Sequence, residues 1–323
     1  MPLDTIYLTR HGHRMHWTLD HKTGTYSSVF PTPTGNAADP TLTSHGVRQS
    51  HELAAHLTSD AVTPKPWRVY SSPFYRCLQT IQPSFEALRE KGIDVGEGVR
   101  IENGLGEWFG ASSYFTHPPP ASPATLRKHF PSLIPASPSR VYVARVTPSV
   151  HGESIIQLHH RVAATLAAII ADVDVEIATY EAETGDKSSK AILICSHAAP
   201  LIAMGRVLTG AMPSDPNTED FHVFTAGLST FVRRRRPQQQ QLSSPRGSVD
   251  RRLGLLAPGT KVSPDNVVAV PDWMDGKGVG GGWDCVKNGD CGFLSAGAER
   301  GWHFSGEESF DTGPMDLEQD SKL

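Results

Sequence analysis

The 323-residue chain has only four cysteines, and none sits in a recognisable metal-binding spacing. Cys77 and Cys195 lie in apolar helix-like and strand-like contexts, where a buried free thiol is expected. Cys285 and Cys291 are separated by five residues with no second Cys/His pair after them, so zinc is not expected there. No apolar run approaches the ~20 residues that a membrane span needs. The opening Met1-Pro2-Leu3-Asp4-Thr5 lacks the basic and apolar regions of a secretory signal. A soluble, intracellular protein beginning near Met1 is expected, cytoplasmic or nuclear, with no membrane partner. A basic excess is missing as well. The formal net charge is −4, so no global field gathers nucleic acid. Arg233 to Arg236 form a short basic run, read as a strand end or a nuclear import signal; direct nucleic-acid binding is not expected from it.

What is present is a core-forming fraction, 38% hydrophobic, beside an unusual amount of chain punctuation: 29 glycines and 25 prolines. That combination predicts a folded part with loop-rich stretches. Thr5–Thr9 and Trp67–Tyr70 read as strands, and Ala191–Ser196 is a continuous apolar run suited to a strand buried on both faces. Helical patterns alternate with them over Ser44–Leu57, Phe74–Leu88, Glu153–Val173 and Pro200–Leu208. Pro83 predicts a kink or early stop in the second. The alternation predicts an α/β fold, a three-layer α/β/α sandwich with a mostly parallel central sheet. Gly12–Pro40 and the proline-rich His117–Pro148 read as insertions above the sheet.

Composition changes after Arg236, at Pro237 and four glutamines. Two regions are therefore expected: a catalytic domain over 1–235 and an irregular C-terminal extension over 236–323, rich in Gly, Pro and Ser. From Pro237 onward the chain has 8 Lys and Arg against 13 Asp and Glu, yet also holds Trp273, Trp283 and Trp302. Disordered linkers rarely carry aromatics at that density. The extension is expected to be a strap on the catalytic domain or a segment that docks a protein partner.

The strand candidates end in residues suited to phosphate. Ligands in open α/β sheets bind beyond the carboxyl ends of the strands. Arg10-His11-Gly12, Arg76 after Ser71-Ser72-Pro73, and His197 can therefore converge. Two arginines can hold a phosphate dianion by forked hydrogen bonds. A neutral imidazole beside them can attack phosphorus, and a protonated one can stabilise the equatorial oxygens. Gly12 is expected to admit phosphate close to the backbone.

At this point the chain resembles the histidine phosphatase, or phosphoglycerate-mutase-like, superfamily. The resemblance rests on Leu8-Thr9-Arg10-His11-Gly12, Leu42 to Gln49, Ser71-Ser72-Pro73 with Arg76, Gln79 and Thr80, Gly104-Leu105-Gly106-Glu107, Gly152-Glu153-Ser154, and Ile194-Cys195-Ser196-His197. These six blocks follow the family order over about residues 5–232. The resemblance implies His11 as nucleophile, and Arg10, Arg76 and His197 as the phosphate pocket. It implies Glu107 as the acid that protonates the leaving oxygen and then the base that activates water. No cofactor or metal is implied.

The departures narrow the reading. The acid-phosphatase branch places Asp after the second histidine, whereas Ala198-Ala199-Pro200 follows His197, which favours Glu107. Arg14 matches that branch's Arg-His-Gly-x-Arg and is a candidate third phosphate contact. Trp108-Phe109-Gly110-Ala111 replaces the polar stretch of the mutase branch, so an aromatic wall and an aryl or peptide phosphate are expected. His45, His51, His56, His159 and His160 read as solvated helix positions. With Arg10-His11-Gly12-His13-Arg14, a Thr/Pro-rich insertion, Gly106-Glu107-Trp108-Phe109 and Gly281-Gly282-Trp283-Asp284-Cys285, the chain also resembles a fungal subgroup that includes a subunit of an RNA polymerase III initiation factor. That implies an alternative role as a phosphatase-like subunit or scaffold of a transcription complex.

Overall fold

The computed structural model describes residues 2–235, 257–261 and 270–304. Its elements in chain order are β1 (Thr5–Arg10), β2 (Trp17–Asp20), β3 (Thr25–Ser28), α1 (Ser44–Thr58), β4 (Pro66–Ser71), α2 (Tyr75–Glu90) and β5 (Arg100–Ile101). They continue with α3 (Pro123–His129), β6 (Val146–Thr147), α4 (Ile155–Thr184), β7 (Ala191–Ser196), α5 (Ala198–Thr209), β8 (Leu228–Arg233), β9 (Thr260–Lys261) and β10 (Trp283–Asp290).

Six strands form the central sheet in the order β10-β8-β1-β7-β4-β5. β1, β7, β4 and β5 run parallel, and β8 is antiparallel to both of its neighbours. Side chains alternate across the central strands as the pleat requires. Ile6, Leu8, Ile192 and Ile194 face the layer of α4 and α5, with Leu158, Val162, Leu166 and Val207. Tyr7, Leu193 and Cys195 face the layer of α1 and α2, with Leu53, Leu57, Leu78, Ile81 and Phe85. The expected three-layer sandwich is therefore present. β1 and β7 are buried along their whole length, which is why Ile6, Tyr7 and Leu8 of β1 and Ile192, Leu193, Ile194 and Cys195 of β7 are apolar on both faces.

The helices differ from expectation at their ends. α2 continues through Pro83 to Glu90, so the early stop does not occur there. α4 begins at a capping box, where Ser154 accepts from the Gln157 backbone and the Gln157 side chain accepts from Ser154. It continues past Val173 to Thr184 and stops at Gly185, whose φ of 74° is the left-handed cap. The apolar pattern fades before the helix does, because its last turns project beyond the core. In α5, Pro200 lies in the first turn, where an N–H has no intrahelical partner to lose.

The segment Gly12–Pro40 is not loop throughout: β2 and β3 form a hairpin within it. In the C-terminal extension, β10 is an eight-residue edge strand of the central sheet, paired with β8. Trp273 and Trp283 are fully buried in the α4/α5 layer, and Trp302 packs against it half-buried. Residues 236–256, 262–269 and 305–323 of the expected extension lie outside the described residues. Arg233 and Arg234 are tied into the fold. Arg233 reaches Asp174 and the Leu3 carbonyl, and Arg234 reaches Asp284 and the Gly276 carbonyl.

Candidate active site

Three adjacent parallel strands deliver their next residues to one edge of the sheet. The His11 N–H continues the ladder beyond β1 by donating to Ser196 O at 3.0 Å. His197 follows β7 directly and precedes the first residue of α5. Ser72 follows β4, and its N–H donates to Cys195 O at 2.9 Å. Arg76 enters from the first turn of α2, and Glu107 from the loop just after the short helical turn Asn103–Leu105.

The His11 ring is held in one tautomer. Its Nδ1 lies 2.8 Å from the Gly12 carbonyl, which can only accept. Nδ1 therefore carries the hydrogen and Nε2 keeps its lone pair. Among the described residues that buried Nε2 has no hydrogen-bond partner. Burial, and then the charges of Arg76 and Arg10, hold the His11 pKa well below the ordinary histidine value. His197 and Arg14 add to the effect. A buried, neutral imidazole with an open lone pair can act as a nucleophile.

Glu107 Oε2 lies 2.9 Å from Arg76 Nη2 and 3.2 Å from His197 Nδ1. Its other oxygen accepts from the Trp108 N–H at 3.0 Å. His197 is also held through Nε2 by the Ser72 hydroxyl at 2.7 Å, and its ring meets His11 edge-on at 5.3 Å. Burial alone would depress the His197 pKa, but nearby Cys77 and Glu107 outweigh it, so the net shift is upward. One ring thus favours the neutral form and its neighbour the charged form, a division suited to acid–base chemistry at one centre.

One nitrogen each of His11 and His197 and an oxygen of Glu107 lie within 4.8 Å of one another, a span that could hold a metal ion. The surrounding charge argues for an anion instead. Arg76 contacts Glu107 and His197 from inside the cluster, and Arg10 and Arg14 act on His11. Guanidinium groups repel a cation at these distances and attract an oxyanion.

The residues expected to meet do so, with different standing. Arg10, His11, Arg76, Glu107 and His197 are all buried around one centre. Arg14 lies at its margin: its Nη1 donates to Met15 O at 3.1 Å and its guanidinium sits 5.6 Å from the Trp17 ring centroid. Gly12 serves a different neighbour from the one expected. A Cβ there would meet the Gly46 carbonyl at 2.9 Å, so the glycine is needed for the close approach of α1. The aromatic wall is divided. Phe109 joins Phe74, Trp17, Tyr26 and His117 in a cluster that begins at His197, with Phe74 only 4.9 Å away. Trp108 instead donates to Glu153 O and packs with Trp302 and Phe304. His159, expected in solvent, is fully buried and stacked on Trp273.

Two supporting residues escaped sequence reasoning. Asp39, from the insertion, accepts from Arg76 Nη1 at 3.3 Å and from the Tyr75 N–H at 2.9 Å. Burial pushes its carboxyl up to about 6. Gln49 spans α1 and the loop after His11, its oxygen accepting from the His13 N–H at 2.8 Å. Gln49 was visible within a family block, without an assigned role. Asp39 had no local signal.

Fold and site together define a class: α/β proteins that gather two histidines, a carboxylate and arginines beyond the ends of parallel strands, around a centre suited to an oxyanion. The chain belongs to the histidine phosphatase superfamily (branch 1), whose family profile matches residues 6–243. One relative is the transcription factor tau 55 kDa subunit of Saccharomyces cerevisiae, 29% identical over 309 residues, covering 94% of this chain and 59% of that protein. Another is the ecdysteroid-phosphate phosphatase of Drosophila melanogaster, 27% identical over 237 residues, covering 66% of this chain and 28% of that one. The chain thus spans less than two thirds of the length of either. A solved structure of the ecdysone phosphate phosphatase from Bombix mori, in complex with tungstate, is 18% identical with a TM-score of 0.44, covering 77% of this chain and 99% of that one. The mycobacterial glucosyl-3-phosphoglycerate phosphatase is 16% identical with a TM-score of 0.39, covering 71% and 89%.

Proposed function

We propose that the chain is a phosphatase that hydrolyses a phosphomonoester through a phosphohistidine on His11, without a metal ion. The observation that carries this reading is the buried His11 Nε2, fixed in its nucleophilic tautomer and without a hydrogen-bond partner among the described residues. In the first step Nε2 attacks phosphorus and the ester oxygen leaves, taking a proton from Glu107. In the second, Glu107 removes a proton from water, whose oxygen attacks phosphorus and returns the electron pair to Nε2. Arg10, Arg76 and His197 neutralise the phosphoryl oxygens throughout, with Arg14 as an outer contact. The aromatic cluster at Phe74 and Phe109 favours an aryl or peptide phosphate. Hydrolysis of para-nitrophenyl phosphate in the presence of a chelator tests the reading. His11→Ala should lower it by on the order of 10³ or more, because no other group can form the covalent intermediate. Equal rates in wild type and variant would remove the mechanism.

A second reading is favoured by the similarity to a yeast transcription factor subunit over 94% of this chain. Here the chain is a phosphatase-like subunit of a nuclear complex, and its extension docks a protein partner. In that form docking would fall to the part of the extension beyond the segment that packs on the sheet. Among the described residues no helix is long and apolar enough to cross a membrane. Co-purification of the full chain with a large complex, lost on removal of residues 305–323, would support it.

A further inference from the structure

The C-terminal segment reaches the candidate site through Glu299 and Arg300. The Arg300 carbonyl accepts from Arg10 Nη1 at 2.5 Å, and the Val223 carbonyl accepts from the same nitrogen at 3.0 Å. Two acceptors on one terminal nitrogen fix the plane of a guanidinium, which is what a forked oxyanion contact requires. Arg300 holds its carbonyl there from a left-handed backbone conformation, φ 49°, uncommon for a residue other than glycine.

Glu299 anchors that position. Its backbone carbonyl accepts from the Thr225 N–H at 3.2 Å, and Thr225 forms a bridge with Arg10 itself. Its carboxylate accepts from His45 Nε2 at 2.5 Å and from Gln49 Nε2 at 2.9 Å. Gln49 Nε2 also donates to Thr225 Oγ1 at 3.1 Å, while its oxygen takes the His13 N–H. The amide is thereby locked in one orientation. Glu299 thus sits where α1, the loop after His11 and the segment below Arg10 meet.

We propose that Glu299 is a positioning residue for oxyanion binding: through Gln49 and the Arg300 carbonyl it sets Arg10 and the nucleophile loop, so that the extension completes the pocket. This rests on the phosphatase reading only in taking the ligand to be a phosphate-like oxyanion. The segment is also fastened at Ser295, whose backbone N–H and hydroxyl donate to Glu52 without touching the Arg10 network. That second fastening separates positioning from mere attachment.

The test uses the full chain and tungstate, a phosphate-like oxyanion, titrated by calorimetry beside para-nitrophenyl phosphate kinetics. Glu299→Ala should weaken tungstate by roughly tenfold, the scale of one charge-assisted hydrogen bond, and raise KM in parallel with a smaller change in kcat. Glu299→Gln keeps an acceptor for Gln49 and should recover most of the affinity, which also guards against loss of folding in the alanine variant. Ser295→Ala should leave the affinity unchanged. Equal tungstate affinity in wild type and Glu299→Ala overturns the proposal, as does an equal loss in Ser295→Ala. Tungstate binding by a wild type that hydrolyses no ester removes the phosphatase reading alone, and the positioning role is then decided by the affinity ratio. No tungstate binding by the wild type overturns both.

Discussion

Glu107 places a carboxylate oxygen between Arg76 Nη2, 2.9 Å away, and His197 Nδ1, 3.2 Å away. These are two of the donors that a bound phosphate would claim. On the proposed mechanism the carboxylate holds the seat that an incoming oxyanion would take. A dianion arriving there must displace it, and two anions at such close range raise the proton affinity of the weaker acid. Under that mechanism substrate binding would favour the protonated form of Glu107, the form that could give a proton to the leaving oxygen.

Glu107→Gln tests this on two axes. Hydrolysis of an alkyl phosphate should fall by roughly 10²–10⁴, the usual worth of general acid catalysis. The loss on para-nitrophenyl phosphate should be smaller, because that leaving group needs little protonation. Inorganic phosphate should inhibit the variant more strongly than the wild type, since no charged competitor then holds the seat. Weaker inhibition, or equal losses on both esters, would mean that Glu107 positions the arginine and does not transfer protons.

The buried pair Asp39–Arg76 makes a prediction about stability. Burial lifts Asp39 to about 6 from an ordinary 3.8, and the Arg76 charge and the Tyr75 N–H only partly offset it. The folded state therefore holds this proton more tightly than the unfolded chain. Stability from this group is full below pH 3.8 and is lost as pH rises through about 6. His159 runs the other way. Its burial lowers it to about 4, so its contribution is full above 6.5 and is lost as pH falls. The informative measurement is the difference between wild type and Asp39→Asn in urea melts across that window. The variant should gain on the wild type as pH rises, by an amount approaching ~3 kcal/mol if Asp39 alone is responsible. A pH-independent difference would show that Asp39 has the same pKa in both states.

The parts of the site readable in the sequence are those whose signal is local. His11, His197 and the Ser72–Arg76 turn each follow an apolar strand within a few residues, so strand end and chemistry appear together. Asp39 and Glu299 carry no such mark. Their roles exist only because the chain brings them to Arg76 and Gln49, 37 and 250 residues away. β10 was hidden for a related reason. Trp283–Asp290 contains a glycine, an asparagine and three charges, and it pairs with β8 through two register shifts. Its strand conformation comes from the partner edge and from the burial of Trp283, not from its own propensity. Trp108 shows the opposite error: its place beside Glu107 suggested a role towards substrate, but the next residue along a loop can face the opposite layer.

The burial of Trp273 yields the last prediction, on whether the extension holds the fold together. Its indole is 1% exposed and lies parallel to His159 of α4, at 6.1 Å between ring centroids. Trp302 is half-buried and meets Trp108 and Phe304 at the rim of the same layer. Removing a fully buried large aromatic costs about 3–5 kcal/mol, because lost transfer energy and a residual cavity add together. Trp273→Ala should therefore cost that much in urea melts, and Trp302→Ala distinctly less. The loss at Trp273 should also free His159 from its apolar cover. The acid-side loss of stability between pH 6.5 and about 4 should then become shallower in the variant. A large stability loss with an unchanged pH slope would mean that His159 is desolvated by its own helix. A negligible loss would mean that the segment 270–304 leaves the catalytic layers in solution.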